Sequence, residues 1–264
     1  MRLTVLTDNH TYIDRYYLGE PAFSCWIETG GRRFLFDTGY SDVFLRNADA
    51  LGIPVGEADA VILSHGHNDH TGGLRWLAPR LSGRRPELIA HPGALAPRFD
   101  QGLFVGCPAE RGELAQHFSL RLGQEPLWLT DRLVFLGEVP ESVERRVPVG
   151  TLADGTPDLC MDDSALAYAG REGVYLITGC SHSGICNLAE YAKKITGRER
   201  IAGILGGFHL MADDGRSRRA VDYLAGENIP ELWPCHCTAF CVRAALSRRA
   251  AVNEVGVGLT LQWE

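Results

Sequence analysis

Residues 61–73 read VILSHGHNDHTGG, and this stretch restricts what the chain can become more than any other. An apolar run with the look of a buried strand leads straight into His65, His67, Asp69 and His70, and glycines follow at once. Neutral imidazole nitrogens and carboxylate oxygens are the ligands that zinc and similar divalent cations take. In an extended loop His65 and His67 alternate and so point to the same side. Asp69 and His70 then fall where a helix would start, near Thr71. A turn of this kind can aim two pairs of ligands at two adjacent cations. The plain alternative is a polar loop that happens to be rich in histidine. Four ligand-type side chains directly behind a strand weigh against it.

The rest of the chain reads as alternating strands and helices. LTVL (3–6), SCWIET (24–29) and FLFDTG (34–39) are strands, with Gly30–Gly31 as a hairpin turn. VFLRNADALGI (43–53) has helical spacing and stops at Gly52, and AVILS (60–64) is a buried strand. GGLRWLAPRL begins a helix that Pro79 bends or ends, and ELIAHPG (87–93) is a strand closing on a histidine. Residues 94–130 read as irregular, a place for a substrate-covering excursion in which Phe99, Phe104 and Phe118 could lie over a planar ring. Strands resume at 133–139, 165–170 and 173–179. A loop and helix closed by Gly197 follow, then a strand (201–207), a helix (218–229), the strand end ELWPCHC, a helix at AFCVRAALSRR and a last strand, VGVGLTLQW. Strands on both sides of interleaved helices predict two packed sheets with helices outside.

Seven of the nine histidines lie at or just after the carboxyl end of one of these strands: His65, His67, His70, His91, His182, His209 and His236. Ligand sites in α/β sheets form outside such ends, so these positions can converge on one crevice. His182, in ITGCSHSG, repeats the flanks of the first loop: apolar strand, small residues, His, Gly, helix. It reads as a metal ligand, against a loop histidine capping the next helix. His209, in GGFHL, could be a ligand, a group that binds or protonates substrate, or a buried histidine bonded to backbone; the substrate-facing role is favoured. His117 reads as an ordinary helix residue.

Composition sets the outer limits. The chain has 264 residues, 45% hydrophobic and 22% charged, as in ordinary globular proteins. No apolar run approaches the ~20 residues of a membrane span, and MRLTVLTDNH does not resemble a secretory leader, so a cytoplasmic location is expected. The eight cysteines form no small secreted framework and are expected as thiols. A formal net charge of −7 argues against duplex nucleic acid or a membrane surface as a general partner, which leaves a small-molecule substrate.

The pattern His-x-His-x-Asp-His resembles the signature of the metallo-β-lactamase superfamily, and FLFDTG resembles that family's first motif. The resemblance covers nearly the whole chain. It implies one domain over residues 1–264, with a four-layer αββα sandwich of the α/β class. It also implies that Asp37 braces the metal loop and that His236, in WPCHC, completes the second metal. A separate Cys-His-Cys zinc site at WPCHC would need more ligands than the nearby Cys241 provides. The implied metal set is therefore His65, His67, Asp69, His70, His182 and His236, holding two divalent ions. Zinc comes first, with manganese, iron or magnesium as alternatives. Two features depart from the family. No histidine stands between His117 and His182, where CMDDSAL offers Asp162 and Asp163 instead, and Cys180 takes the place of the usual bridging aspartate. The first metal then completes its shell with His182, Asp163 or Cys180, and His182 is preferred.

FLRNADALGI, SHGHNDHTGGL, HPGAL, TGCSHSGI, GGFHL and PCHCTA together resemble a subgroup, the archaeal-type 7,8-dihydropterin-6-methyl-4-(β-D-ribofuranosyl)aminobenzene-5′-phosphate synthases and their relatives. This implies a pterin-type or phosphorylated small substrate. The first reading is a hydrolase using a metal-bound hydroxide, with Asp69 orienting the nucleophile and His209 serving the substrate. The second is a transferase using the same metals. A redox di-iron protein is disfavoured, because in that branch a carboxylate replaces the residue that here is His67. A non-catalytic binding module is disfavoured by the intact ligand set.

Overall fold

Alternation along the strands decides which layer each side chain joins. In Arg32–Phe36, Phe34 and Phe36 turn to one face and Leu35 to the other; in Ala60–Ile62, Ala60 and Ile62 oppose Val61. The computed structural model, which describes residues 1–264, resolves these two faces into four layers. A seven-stranded sheet runs in the order Thr260–Gln262, Arg2–Thr7, Ser24–Thr29, Arg32–Phe36, Ala60–Ile62, Glu87–Ala90 and Ser119–Leu122. A six-stranded sheet runs Glu231–Cys235, Ile201–Gly207, Val174–Thr178, Ala165–Ala169, Leu133–Phe135 and Leu127–Trp128.

Between the sheets lies a cluster of 23 buried residues that includes Ile27, Phe34, Phe36, Leu133, Phe135 and Ile177. The outer face of the six-stranded sheet (Val134, Ala167, Leu176) packs on helices Ile185–Thr196, Gly215–Gly226 and Phe240–Ser247. The outer face of the seven-stranded sheet (Leu35, Val61, Leu88) packs on Val43–Leu51 and Leu74–Leu77. This is the αββα sandwich that the sequence predicts. No helix is long and apolar enough to cross a membrane, and all eight cysteines are free.

Local chemistry agrees with most boundaries. Gly30 and Gly31, at φ 58° and 71°, make the two-residue hairpin turn that needs positive φ at both positions. Pro79 sits at the start of a 3₁₀ turn, Ala78–Leu81, which ends the short helix before it. Residues 94–130 differ from expectation. They contain the hairpin Arg98–Asp100 and Leu103–Phe104, the helix Arg111–His117 and the strand Ser119–Leu122. The last closes one edge of the seven-stranded sheet. Phe118 precedes it and is buried in the outer core, so it cannot cover a substrate. The hairpin pairs with Thr151–Leu152 in a small third sheet.

Both main sheets contain a parallel block. Arg32–Phe36, Ala60–Ile62 and Glu87–Ala90 run together in one, and Val174–Thr178, Ile201–Gly207 and Glu231–Cys235 in the other. Their carboxyl ends deliver Asp37, the His65–His70 loop, Cys180 with His182, His209 and His236 to one edge of the sandwich. Gly179 is what lets the two sheets meet there. A Cβ on it would lie 2.1 Å from Ser64 Oγ and 2.9 Å from Asp37 Oδ2. Gly179→Ala is expected to lower stability by ~1–3 kcal/mol, the usual range for overpacking, read as a shift in the urea midpoint of metal-free protein. An unchanged midpoint would mean that the two loops part freely.

Candidate metal centre

Asp37 organises the site. It is fully buried at φ 55°, and accepts the Ser64 N–H at Oδ1 (2.7 Å) and the Ser64 hydroxyl at Oδ2 (2.7 Å). His70 Nδ1 also lies 2.8 Å from Oδ2. These bonds dictate tautomers. His70 donates from Nδ1, so in the neutral ring its Nε2 carries the lone pair. Ser64 Oγ gives its proton to Asp37 and accepts from His65 Nδ1 at 2.9 Å, so His65 Nε2 is bare as well. On the far side the Asn9 side-chain oxygen takes the proton of His236 Nδ1 at 3.2 Å, which leaves His236 Nε2 bare too.

The bare nitrogens face other electron-rich atoms. His65 Nε2 lies 3.0 Å from His67 Nδ1. His70 Nε2 lies 3.2 Å from Cys180 Sγ and 3.6 Å from Asp69 Oδ2, and His236 Nε2 lies 3.3 Å from the same Asp69 oxygen. Ligands set tetrahedrally ~2.0–2.1 Å from a zinc ion stand about 3.3 Å apart, so the spacing suits a shared cation. Two groups result, His65 with His67 and His182, and Asp69 with His70, Cys180 and His236, each with ligand atoms within 4.8 Å of one another. Both ring nitrogens of His182 and Nε2 of His236 are buried with no hydrogen-bond partner. Orphaned lone pairs gathered around a common point are costly without a cation and ordinary with one.

Cys180 belongs to a third grouping as well, with His182 and His209. It therefore stands between the two main groups. His209 is at φ 46°, its ring centroid 4.2 Å from that of His182, with a buried and unpartnered Nδ1. Of the nine non-glycine residues at positive φ, Asp37, Cys160, Ser181, His209 and His236 cluster here, a local strain typical of functional sites.

Charge follows position. Burial and neighbouring histidines keep His65 and His182 far below the ordinary imidazole range, and burial with the Arg98 cation lowers His67 to about 4. All three are neutral at pH 7, as ligands must be. Burial opposes a charge on His70, yet the Asp69 and Asp37 carboxylates outweigh it and raise His70 to about 9. Burial would likewise raise Asp69, but His70 and His236 hold it well below the usual carboxylate range. A cation in the second group would supply the positive charge that a proton on His70 otherwise provides.

Two expectations are corrected. His91 does not join the crevice: its Nε2 meets Glu138 at 3.1 Å and its Nδ1 accepts the Gly93 N–H at 3.0 Å. Its strand lies farther along the sheet, beyond Ala60–Ile62. Asp163 is in neither ligand group; its Oδ2 accepts the N–H (2.8 Å) and hydroxyl (2.5 Å) of Ser183. Sequence reasoning missed Ser64, Asn9 and Asp8, the last accepting the His236 N–H at 3.1 Å. The only sign of them was polar residues at strand ends. A cleft of about 340 Å³ opens beside the centre, lined by Pro21, Tyr40, His67, Asp69, Asp100 and Val105 among others. Phe99 and Phe104 pack edge to face at 5.6 Å on the adjoining hairpin.

Comparison with known proteins agrees with this architecture. The family model of the metallo-beta-lactamase superfamily matches residues 18–193. An uncharacterised protein of Methanocaldococcus jannaschii is 33% identical over 253 residues, covering 93% of this chain and 94% of that one. The 7,8-dihydropterin-6-methyl-4-(beta-D-ribofuranosyl)-aminobenzene-5′-phosphate synthase of the same organism is 29% identical over 237 residues, covering 83% and 80%. The crystal structure of a metal-dependent hydrolase of the beta-lactamase superfamily superposes with a TM-score of 0.86 at 29% identity, covering 99% of this chain and 98% of the other. The strand-end ligands, the sandwich beneath them and the family match have one common explanation: this chain belongs to the metallo-beta-lactamase superfamily.

Proposed function

We propose that the protein is a two-metal hydrolase acting on a small pterin-type or phosphorylated substrate. The observation that carries this reading is the pair of adjacent ligand groups beside an open cleft that His67 and Asp69 line. His65, His67 and His182 would hold one cation; Asp69, His70, Cys180 and His236 would hold the other. Two divalent ions there, zinc above all, would polarise a bound ester, lactone or phosphate and acidify a water molecule.

The chain's own residues supply the rest. Asp69 is at the lip of the cleft, where its carboxylate both binds and orients a nucleophile. Tyr40, Pro21, Val105 and Val149 give a planar ring apolar walls, while Asn68 and Asp100 offer polar contacts. No lysine or arginine lines the cleft, so an anionic group on the substrate would turn toward the cations. His209, on the other side of His182, serves as the proton-transfer group. A second reading, a transferase on the same site, is favoured by the likeness to the synthase. The test is metal analysis of the purified protein, then turnover of phosphodiesters, of lactones, and of a pterin with phosphoribosyl diphosphate. Turnover of a single substrate with water supports the hydrolase, and turnover only when both substrates are present supports the transferase. Protein that binds no divalent cation would overturn both.

Three outcomes follow for single residues. His67→Ala and His236→Ala should each lose metal and activity yet unfold cooperatively, because a chain of this length buries a core that stands without metal. Loss of cooperative unfolding would make the metals structural. Cys180→Ser should abolish the sulfur-to-cobalt charge-transfer band of cobalt-loaded protein; an undiminished band would remove Cys180 from the ligands. His209→Ala should cut turnover by roughly 10²–10⁴ at full metal occupancy, and unchanged turnover would reduce His209 to packing.

A further inference from the structure

The segment Asp158–Asp163 precedes the strand Ala165–Ala169. It lies against both halves of the tri-histidine group. Asp162 Oδ2 accepts the Gly66 N–H at 2.8 Å, which fixes the backbone between His65 and His67. The next residue, Asp163, accepts the N–H and hydroxyl of Ser183, which fixes the backbone just after His182. Ser164 N–H then donates to Ser64 O at 2.9 Å. Two consecutive carboxylates thus hold the two loops that bear the three histidines.

The charge of Asp162 is balanced from the opposite side. Arg98 is 2% exposed and donates from Nη2 to Asp162 Oδ1 at 2.9 Å and to Gly93 O at 2.9 Å; its Nε lies 3.3 Å from Asp158 Oδ2. A ring nitrogen of His67, a carboxylate oxygen of Asp158 and Cys160 Sγ lie within 4.8 Å of one another, so the outer edge of His67 abuts the same segment. Arg146 ties the segment down by donating to Cys160 O at 2.6 Å. Arg98 also opens the hairpin whose Asp100 lines the cleft.

We infer that Asp162, with Arg98 as its counter-ion, and Asp163 are positioning residues that set the distance between His65–His67 and His182 and so the fit of the first cation. The inference rests on the two-metal reading above. It assigns Asp163 to holding a ligand loop, where the sequence alone left it as a possible ligand. Ligand-positioning groups of this kind typically change metal affinity by 10–100-fold.

A hydrogen-bond inventory makes the test selective. Asp162 uses one oxygen for Gly66 and the other for Arg98, and an asparagine has only one oxygen to offer. Asp163 takes both of its bonds at Oδ2 while Oδ1 has no partner, so an asparagine can keep them. Zinc and cobalt are titrated into wild type, Asp162→Asn, Asp163→Ala and Asp163→Asn. The two sites are followed separately, the second by its sulfur-to-cobalt band and the first by the remaining d–d spectrum, with circular dichroism of metal-free protein as the fold control. The expected result is a first site weakened about 10–100-fold in Asp162→Asn and Asp163→Ala and restored in Asp163→Asn, with the second site titrating as in wild type. Wild-type affinity at the first site in Asp162→Asn would overturn the inference. Loss of that site in Asp163→Asn would return Asp163 to the ligands. If Asp162→Asn does not fold, Arg98→Lys, which keeps the cation and gives up the fork, carries the same prediction. Wild type that binds no metal would instead remove the two-metal reading itself.

Discussion

One carboxylate, Asp37, holds the rest in register. It is fully buried, and three donors from the metal loop, the His70 ring among them, converge on its two oxygens. Burying an anion in an apolar sandwich is costly unless each lone pair is used. That requirement fixes Ser64 and His70, and through Ser64 the tautomer of His65. Asp37 caps Arg32–Phe36, a strand between two others, so the demand passes from the middle of the sheet to the edge where chemistry can occur. The geometry of the histidines follows from solvation of this one side chain.

The opposite sheet meets the loop on equal terms. Its three parallel strands end in Cys180 and His182, in His209 and in His236, and each turn is sharp enough that Ser181, His209 and His236 take positive φ. Glycine at position 179 removes the last obstacle between the sheets. The strain is supported by dense hydrogen bonding. Ser181 Oγ, for example, donates to Gly207 O at 2.7 Å, and His236 N–H reaches Asp8.

Features carried by short-range pattern were legible in the sequence. The strand before His65, the alternation that aims His65 and His67 together, and the repeat of that grammar around His182 all lie within a few residues of one another. So do the layers, because period-two alternation assigns Phe34 and Leu35 to opposite cores. Lateral placement was not legible. His91 follows a strand as His65 does, and nothing local tells that Glu87–Ala90 lies too far along the sheet to reach the centre. Phe118 looked available because Ser119–Leu122 is a short edge strand with no buried side chain, which mimics a loop. The carboxylates Asp162 and Asp163 were ambiguous for another reason. A ligand and the group that steadies a ligand have the same chemistry, and only the direction of their lone pairs separates them.

The division of ligands between the two halves of the chain has a mechanical meaning. In each group some donors come from residues 65–70 and the others from beyond residue 179. A cation bound there is a cross-link between distant parts of the polypeptide, closing a loop of more than a hundred residues much as a disulfide would, but reversibly. Such a tie stabilises the native state by RT ln(1 + [L]/Kd), about 4 kcal/mol when the free ion stands a thousandfold above its dissociation constant. The availability of free metal would then set how long the sandwich stays closed, and a cell that withholds the ion would shorten the protein's lifetime as well as silence its chemistry.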